Sequence, residues 1–164
     1  MTYEKKWVWF LLCAVFVALD QATKFWVYHA LDLYQSVAVF PGLNWTLVLN
    51  PGSAFGFLSH HDGHWHHYLF VGFGVLMSLG LIIWMGVIAA KSKLELLAVT
   101  LVLSGAIGNV IDRLRLGYVI DFIDVYYKNH HWWIFNVADS AICVGAVLLF
   151  FAGNETKDKL AKKK

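Results

Sequence analysis

Long apolar runs separated by short polar segments dominate the chain. About 20 apolar residues in a helix cross a hydrocarbon core of about 30 Å. Four runs reach that length, and they predict membrane-spanning helices at about 7–28, 68–90, 94–113 and 132–151. We therefore expect a single all-α polytopic membrane domain over residues 1–164 that ends in a solvated tail at 152–164.

The segment 31–67, between the first two runs, has a different pattern. Residues 37–40 and 43–50 are short apolar stretches on either side of Pro41-Gly42, which is typical of two strands joined by a turn. The segment stays apolar as far as Leu58, so it is not a free loop. It predicts a small β-sheet and an adjoining interfacial segment that lie against the membrane surface.

Composition supports a membrane protein. Hydrophobic residues make up 59% of the chain and charged residues only 15%, whereas an ordinary soluble domain has about 25% charged residues. The net charge of +2 is small, and the basic residues do not form a patch interleaved with aromatic side chains. Nucleic acid is therefore not expected as a partner.

The distribution of Lys and Arg predicts the orientation in the membrane. Segments 1–6, 91–93 and 152–164 together carry nine basic residues, the 31–67 loop carries none, and the 112–131 connection carries three. Basic residues are retained on the cytoplasmic side. Both termini should therefore be cytoplasmic, and the two larger connections should face outward.

Polar side chains interrupt three of the four runs at a common depth. With a rise of about 1.5 Å per residue, the expected orientation places Asp20, Asn109, Asn136 and Asp139 near the outer surface of the bilayer. Asp20 and Lys24 are four residues apart and can pair on one helix face. An acid at the bilayer centre costs about 2.5–3.5 kcal/mol, so each intramembrane acid is a candidate functional residue. Taken singly, each is equally a candidate for a structural contact between helices.

A second acid is expected just above the fourth run. Asp121 lies in the alternating segment 118–127, and Asp124 is its rival there. Two carboxylates in a partly desolvated pocket cannot easily both ionise, so they share a proton. One can then act as a base on water while the other polarises a carbonyl group, and the titration belongs to the pair. Asp121 and Asp139 are the candidates for this chemistry.

A third acid, Asp112, is expected to have only a structural role. It lies at the end of the third run, close in sequence to Arg113 and Arg115. We expect it at the lipid–water boundary, paired with these arginines.

Two other functions would also use polar residues of this chain, and a third, that of a non-catalytic assembly subunit, would leave Asp121 and Asp139 replaceable. A proton- or metal-coupled transporter would use Asp20, Lys24, Asp139 and Arg113 as relay groups, but the inner halves of the four runs are almost entirely apolar. The five histidines within 60–67 form a possible metal-binding stretch. A solvated loop is the preferred interpretation of that stretch, and no metal site or cofactor is predicted.

Five short motifs resemble one family closely. They are D-Q-A-T-K at 20–24, N-P-G-S-A-F-G at 50–56, G-A-I-G-N-V-I-D-R-L at 105–114, V-I-D-F at 119–122 and F-N-V-A-D-S at 135–140. In this order and spacing they resemble lipoprotein signal peptidase, also called signal peptidase II. Ala106 departs from the second glycine that many members have.

The resemblance implies an aspartic endopeptidase of the bacterial inner membrane with its active site near the periplasmic face. Such enzymes remove the signal peptide from prolipoproteins just before a cysteine that carries diacylglycerol. By position, Asp121 and Asp139 resemble the catalytic pair. The resemblance also implies site-lining or substrate-binding roles for Asn50, Gly52, Asn109, Arg113 and Asn136, and site-supporting roles for Asp20 and Lys24. Membrane lipid and the inhibitor globomycin are the other implied partners.

Overall fold

The structure, a computed structural model, describes residues 6–52, 65–87 and 93–161. In chain order the elements are α1 (Trp7–Ala30), β1 (Ser36–Phe40), β2 (Leu43–Asn50), α2 (Trp65–Val87), α3 (Lys93–Leu116), β3 (Val119–Tyr127), β4 (His130–His131) and α4 (Val137–Ala161). Within the described ranges, three helices are long and apolar enough to cross a membrane, namely α1, the 67–86 part of α2, and α3. The apolar part of α4, Val137–Gly153, is shorter.

The fourth helix begins later than the sequence predicts. The expected start was residue 132, but α4 begins at Val137 because the preceding residues are extended. The Trp132 N–H donates to the Val125 carbonyl at 2.7 Å, and Phe135 forms a bridge with Ile123. Backbone hydrogen bonds at Trp132 and Phe135 therefore pair this segment with β3. The helices α1, α2 and α3 end within three residues of their expected bounds.

The strands form one antiparallel sheet in the order β1-β2-β3-β4. The two strands predicted at 37–40 and 43–50 are confirmed as β1 and β2. Along β2 and β3, Val48 pairs with Asp121 and Asn50 pairs with Val119. This register brings Asn50, the last residue of β2, beside Asp121.

Two apolar clusters form the core, one among the helices and one between the sheet and α1. One is formed by buried side chains of α1, α2 and α3: Cys13, Leu81, Met85, Leu96, Val99 and Leu103. The other contains Val27 of α1, Leu47 of β2, and Ile120 and Phe122 of β3. The second cluster attaches the sheet to the C-terminal half of α1, which is the half that carries Asp20 and Lys24.

Helix α3 packs closely against its neighbours where glycines remove side-chain bulk. A Cβ at Gly105 would overlap the Ala138 carbonyl of α4, and a Cβ at Gly108 would meet the Asp20 carboxylate of α1. The backbone of α3 therefore approaches both helices at the level of the polar residues. This approach allows side chains from α1, α3 and α4 to meet in one layer.

Candidate active site

The carboxylate of Asp121 lies on β3 and is almost fully buried, with 3% of the residue exposed. Asn50 Nδ2 donates to its Oδ2 at 3.0 Å, and Asn136 Nδ2 donates to its Oδ1 at 2.7 Å. One donor comes from β2, as the strand register requires, and the other comes from the residue before α4. Both carboxylate oxygens are thus held by neutral amides.

Asp139 lies in the first turn of α4, where Asn136 acts as the cap. The Asp139 N–H donates to Asn136 Oδ1 at 2.9 Å, and the Asn136 N–H donates to Asp139 Oδ2 at 3.2 Å. This reciprocal pair satisfies two backbone donors that lack a partner within the helix. Asn109 of α3 donates to Asp139 Oδ1 at 2.8 Å. Asn136 therefore contacts both acids, which brings Asp121 and Asp139 into one site.

The electrostatic environment favours retention of a proton by the pair. Burial, followed by repulsion from the charge of Asp139, raises the pKa of Asp121 to about 7. The hydrogen bonds from Asn50 and Asn136 and the charge of Lys24 act in the opposite direction, and they are outweighed. Below about pH 7 the carboxyl group of Asp121 therefore keeps a proton.

A buried cation lies behind the two acids. Lys24 is 1% exposed, and its Nζ lies 3.0 Å from Asp20 Oδ2 and 2.8 Å from Asp112 Oδ2. The same group donates to Asn109 Oδ1 at 3.1 Å. The predicted pairing of Asp20 with Lys24 is confirmed. Because Lys24 binds the amide oxygen of Asn109, the amide nitrogen of Asn109 faces Asp139.

The expected pairing of Asp112 with Arg113 and Arg115 was wrong. Asp112 is 3% exposed, and in the described part of the chain its ion pair is with Lys24. Its carboxylate also accepts hydrogen bonds from Gln21 at 2.9 Å and from the Ile120 N–H at 3.2 Å. The reason is tertiary, because β3 covers this end of α3 and separates Asp112 from solvent.

Asp20 anchors the start of α4. Its Oδ1 accepts the Ala138 N–H at 2.8 Å, one of the first N–H groups of the helix that have no intrahelical acceptor. A carboxylate at a helix N-terminus is also favoured by the helix dipole. Asp20 therefore links α1 to the turn that carries Asp139.

Gly52 and Arg113 connect the end of β2 to α3. The Gly52 N–H donates to Asn50 Oδ1 at 3.0 Å, and Arg113 Nη2 donates to the Gly52 carbonyl at 3.0 Å. The first bond orients the Asn50 amide so that its nitrogen faces Asp121. The guanidinium also lies over the Phe70 ring, 5.5 Å from its centroid, and the buried Arg113 Nε has no hydrogen-bond partner among the described residues.

A cleft of about 430 Å³ opens onto the two acids. Its lining combines the polar residues above with a mostly apolar wall: Asn50, Asn109, Arg113, Val119, Asp121, Trp132, Trp133, Ile134, Phe135, Asp139, Ser140, Ile142 and Cys143. The 132–135 part of this wall could not be recognised in the sequence, because an apolar run gave no sign that its backbone pairs with a strand. The cleft offers two carboxylates, one guanidinium and an apolar surface to a bound molecule.

The rival acid Asp124 does not line this cleft. Asp124 follows Asp121 by three residues on the same strand, so their side chains leave opposite faces. Its carboxylate accepts hydrogen bonds from Asn44 at 3.2 Å and Thr46 at 3.1 Å, and His131 Nδ1 lies 2.8 Å away. Burial alone would raise the pKa of Asp124, but its partners, His131 first, lower it.

The histidine stretch contributes no described metal site. Residues 60–64 lie outside the described residues, as does most of the interfacial segment expected before residue 67. Among the side chains that the structure describes, at 6–52, 67–86 and 93–153, no group of three or more His, Cys, Asp or Glu residues is placed to hold a metal ion.

Comparisons with known proteins agree on one family. The family model described as signal peptidase (SPase) II matches residues 12–153. The lipoprotein signal peptidase of Acinetobacter baylyi is 44% identical over 147 residues, covering 90% of this chain and 82% of the relative. That of Shewanella pealeana is 46% identical over 160 residues, covering 93% and 90%. A solved bacterial membrane enzyme, determined by the in meso method at 2.3 Å resolution, superposes with a TM-score of 0.82 at 29% identity, covering 93% and 90%.

Proposed function

The chain belongs to the signal peptidase II family, and we propose that Asp121 and Asp139 are the catalytic pair of its lipoprotein signal peptidase activity. The chain is a protease of this kind, and the similarity to curated peptidases over most of its length does not support a transporter. The observation that carries the proposal is the contact of Asn136 with both carboxylates. Among the described residues, Asp121 and Asp139 are the two acids that line the cleft.

The proposed reaction uses one water molecule and the single proton of the pair. The ionised carboxylate removes a proton from water, and the oxygen of that water forms a bond to the carbonyl carbon of the scissile peptide. The protonated carboxyl group donates its proton to the carbonyl oxygen. When the tetrahedral intermediate breaks down, the carbon–nitrogen bond breaks, the amine takes a proton from one carboxyl group, and the hydroxyl proton returns to the other.

The remaining polar residues orient the pair and the substrate. Asn50, Asn109 and Asn136 supply neutral donors that hold the carboxylates in place without removing the proton that they share. Arg113 lines the cleft, and we propose that its guanidinium holds a carbonyl group of the substrate backbone. Gly52 acts through Asn50 and Arg113, and Asp20 and Lys24 act through α4 and Asn109.

The proposed substrate is a prolipoprotein cut just before its diacylglyceryl-modified cysteine. Lipoprotein signal peptidases among the relatives support prolipoproteins as substrates, and the apolar wall of the cleft suits a substrate that arrives from the lipid phase. Globomycin is proposed to bind in the same cleft. No metal or other cofactor enters the proposed reaction.

The proposed topology has four spans in the bacterial inner membrane, with both termini cytoplasmic and the sheet on the periplasmic side. The distribution of basic residues supports this orientation. The apolar part of α4, Val137–Gly153, would span about 25 Å at 1.5 Å per residue. The apolar residues 132–135 precede it and include two tryptophans, which favour the interface. Together these residues are long enough to reach across the bilayer.

Cleavage of a synthetic diacylglyceryl-modified prolipoprotein tests the proposal. The purified protein in detergent should cleave this substrate with a chelator present. Asp121→Asn and Asp139→Asn should each abolish turnover, whereas Asp124→Asn, which changes an equally buried acid outside the cleft, should retain kcat within about twofold. Turnover by either of the first two variants at the rate of the unmodified protein would show that the pair is misassigned.

A further inference from the structure

A side-chain contact fastens the apolar wall of the cleft to the sheet. His131 Nδ1 lies 2.8 Å from Asp124 Oδ1, and the His131 ring stacks on Tyr126 at 5.2 Å between centroids. The histidine side chain is 52% exposed, whereas the Asp124 carboxylate is 4% exposed. The buried acid therefore provides a fixed attachment point for a residue that would otherwise extend into solvent.

The attachment point is rigid because β2 also holds it. Asn44 and Thr46 donate to Asp124 Oδ2, while Asp124 Oδ1 remains for His131. These donors come from the strand that supplies Asn50 to the catalytic pair. The Asp124–His131 contact thus ties the chain after β4 to the same sheet that carries Asp121.

The residues directly after His131 form the apolar wall. Trp132, Trp133, Ile134 and Phe135 all line the cleft. Backbone hydrogen bonds fix Trp132 to Val125 and Phe135 to Ile123. Trp132 is nevertheless 66% exposed, so its indole is largely accessible to a bound molecule. The direction in which the wall leaves the sheet therefore depends on how firmly the preceding residue, His131, is attached.

We propose that Asp124 and His131 form a clip that positions the wall of residues 132–135 for contact with the apolar part of the substrate. The clip affects substrate binding and not the chemical step. Asp124 does not line the cleft, and neither residue bonds to Asp121 or Asp139. It rests on the proposed function, since it requires that the substrate occupy this cleft. Asp124 and His131 are positioning residues, and the wall itself makes the contact.

Steady-state cleavage of the diacylglyceryl-modified prolipoprotein by His131→Ala, Asp124→Asn and the double variant tests the clip. Loss of a hydrogen bond to a half-exposed partner should raise KM about threefold to fivefold in each single variant, which corresponds to about 0.7–1 kcal/mol. The kcat should stay within twofold. The double variant should match the single variants, because both remove the same contact. His131→Gln, which can still donate to Asp124, should recover part of the affinity.

His130→Ala is the matched control. His130 neighbours His131 on β4, is also exposed, and pairs with Tyr127 through its backbone. Its KM should equal that of the unmodified protein. Equal KM values for His130→Ala and His131→Ala would overturn the clip, as would a double variant whose effect is the product of the two single effects. If Asp124→Asn does not fold, the comparison of His131→Ala, His131→Gln and His130→Ala still decides. Failure of the catalytic pair would appear separately, as turnover by Asp121→Asn or Asp139→Asn.

Discussion

The polar layer is the set of polar side chains that α1, α3 and α4 bring together at one level. Replacement of Lys24 by methionine should cause a larger loss of stability than any other single change in this layer. Methionine has a similar length but no charge, so the change leaves Asp20 and Asp112 as two buried acids without their cation. Their carboxylates lie 3.0 and 2.8 Å from the ammonium, and all three residues are at most 3% exposed. Removal of one partner from such a buried group costs about 3–5 kcal/mol, because the remaining charges are left uncompensated.

The loss should extend to catalysis through Asn109. Without the ammonium, the Asn109 oxygen keeps only the 3.3 Å hydrogen bond from Asn136 Nδ2, so the amide is held less firmly and its nitrogen can move away from the Asp139 carboxylate. A misplacement of about 1 Å at a catalytic group costs about 10²-fold in rate. We therefore expect kcat to fall by about that factor in the fraction of Lys24→Met that remains folded.

Denaturant unfolding in mixed micelles, followed by tryptophan fluorescence, measures the stability of the variants. Lys128→Met is the control, because Lys128 lies on the exposed turn between β3 and β4, with its ammonium 5.5 Å from the Tyr127 ring centroid. The triple variant Lys24→Met/Asp20→Asn/Asp112→Asn should regain most of the lost stability, since it removes all three charges together. A Lys24→Met protein within 1 kcal/mol of Lys128→Met would refute the assignment of Lys24 as the buried counter-ion.

Two further predictions concern pH and packing. The rate of cleavage should fall as pH rises above about 7. Burial and the charge of Asp139 raise the pKa of Asp121 to about 7, and loss of the shared proton removes the acid. A rate that stays constant to pH 9 in a pH–kcat/KM profile would contradict a shared proton. Gly108→Ala should destabilise the protein by about 1–3 kcal/mol, because the added Cβ would meet the Asp20 carboxylate. Gly80→Ala should not, because a Cβ added there would meet no other part of the described structure within 4 Å. Equal unfolding midpoints for the two variants would exclude close α1–α3 packing at Gly108.

The polar layer could be predicted from the sequence because it depends on two simple quantities. Orientation from basic residues and rise per residue brought Asp20, Asn109, Asn136 and Asp139 to one depth, and in the structure hydrogen bonds connect them. Helical spacing alone predicted the Asp20–Lys24 contact. These features follow from local geometry and need no knowledge of how the sheet packs.

Features that depend on the sheet were harder to predict. Asp121 and Asp124 lie on the same alternating strand, and only the packing of that strand determines which of them faces Asp139. The prediction for Asp112 was wrong because a helical pattern in the sequence cannot show that β3 covers this end of α3. Residues 132–135 look like the start of an apolar helix, since apolar composition does not reveal that their backbone pairs with Ile123 and Val125. The family resemblance, rather than any periodicity in the sequence, favoured Asp121 over Asp124.

The charges of the polar layer give a physical reason for the proposed catalytic pair to keep one proton. Lys24 contacts Asp20 and Asp112, so its charge is already exceeded by those two carboxylates. The other cation at the site is Arg113, which interacts electrostatically with Asp112, Asp121 and Asp139. If Asp20, Asp112, Asp121 and Asp139 were all ionised, the two cations would leave two negative charges uncompensated in a poorly solvated region. Protonation of one member of the pair halves that excess, and the amides of Asn50, Asn109 and Asn136 hold the pair without adding charge. An additional cation beside the pair would remove the reason for the shared proton and, with it, the acid that the hydrolysis needs.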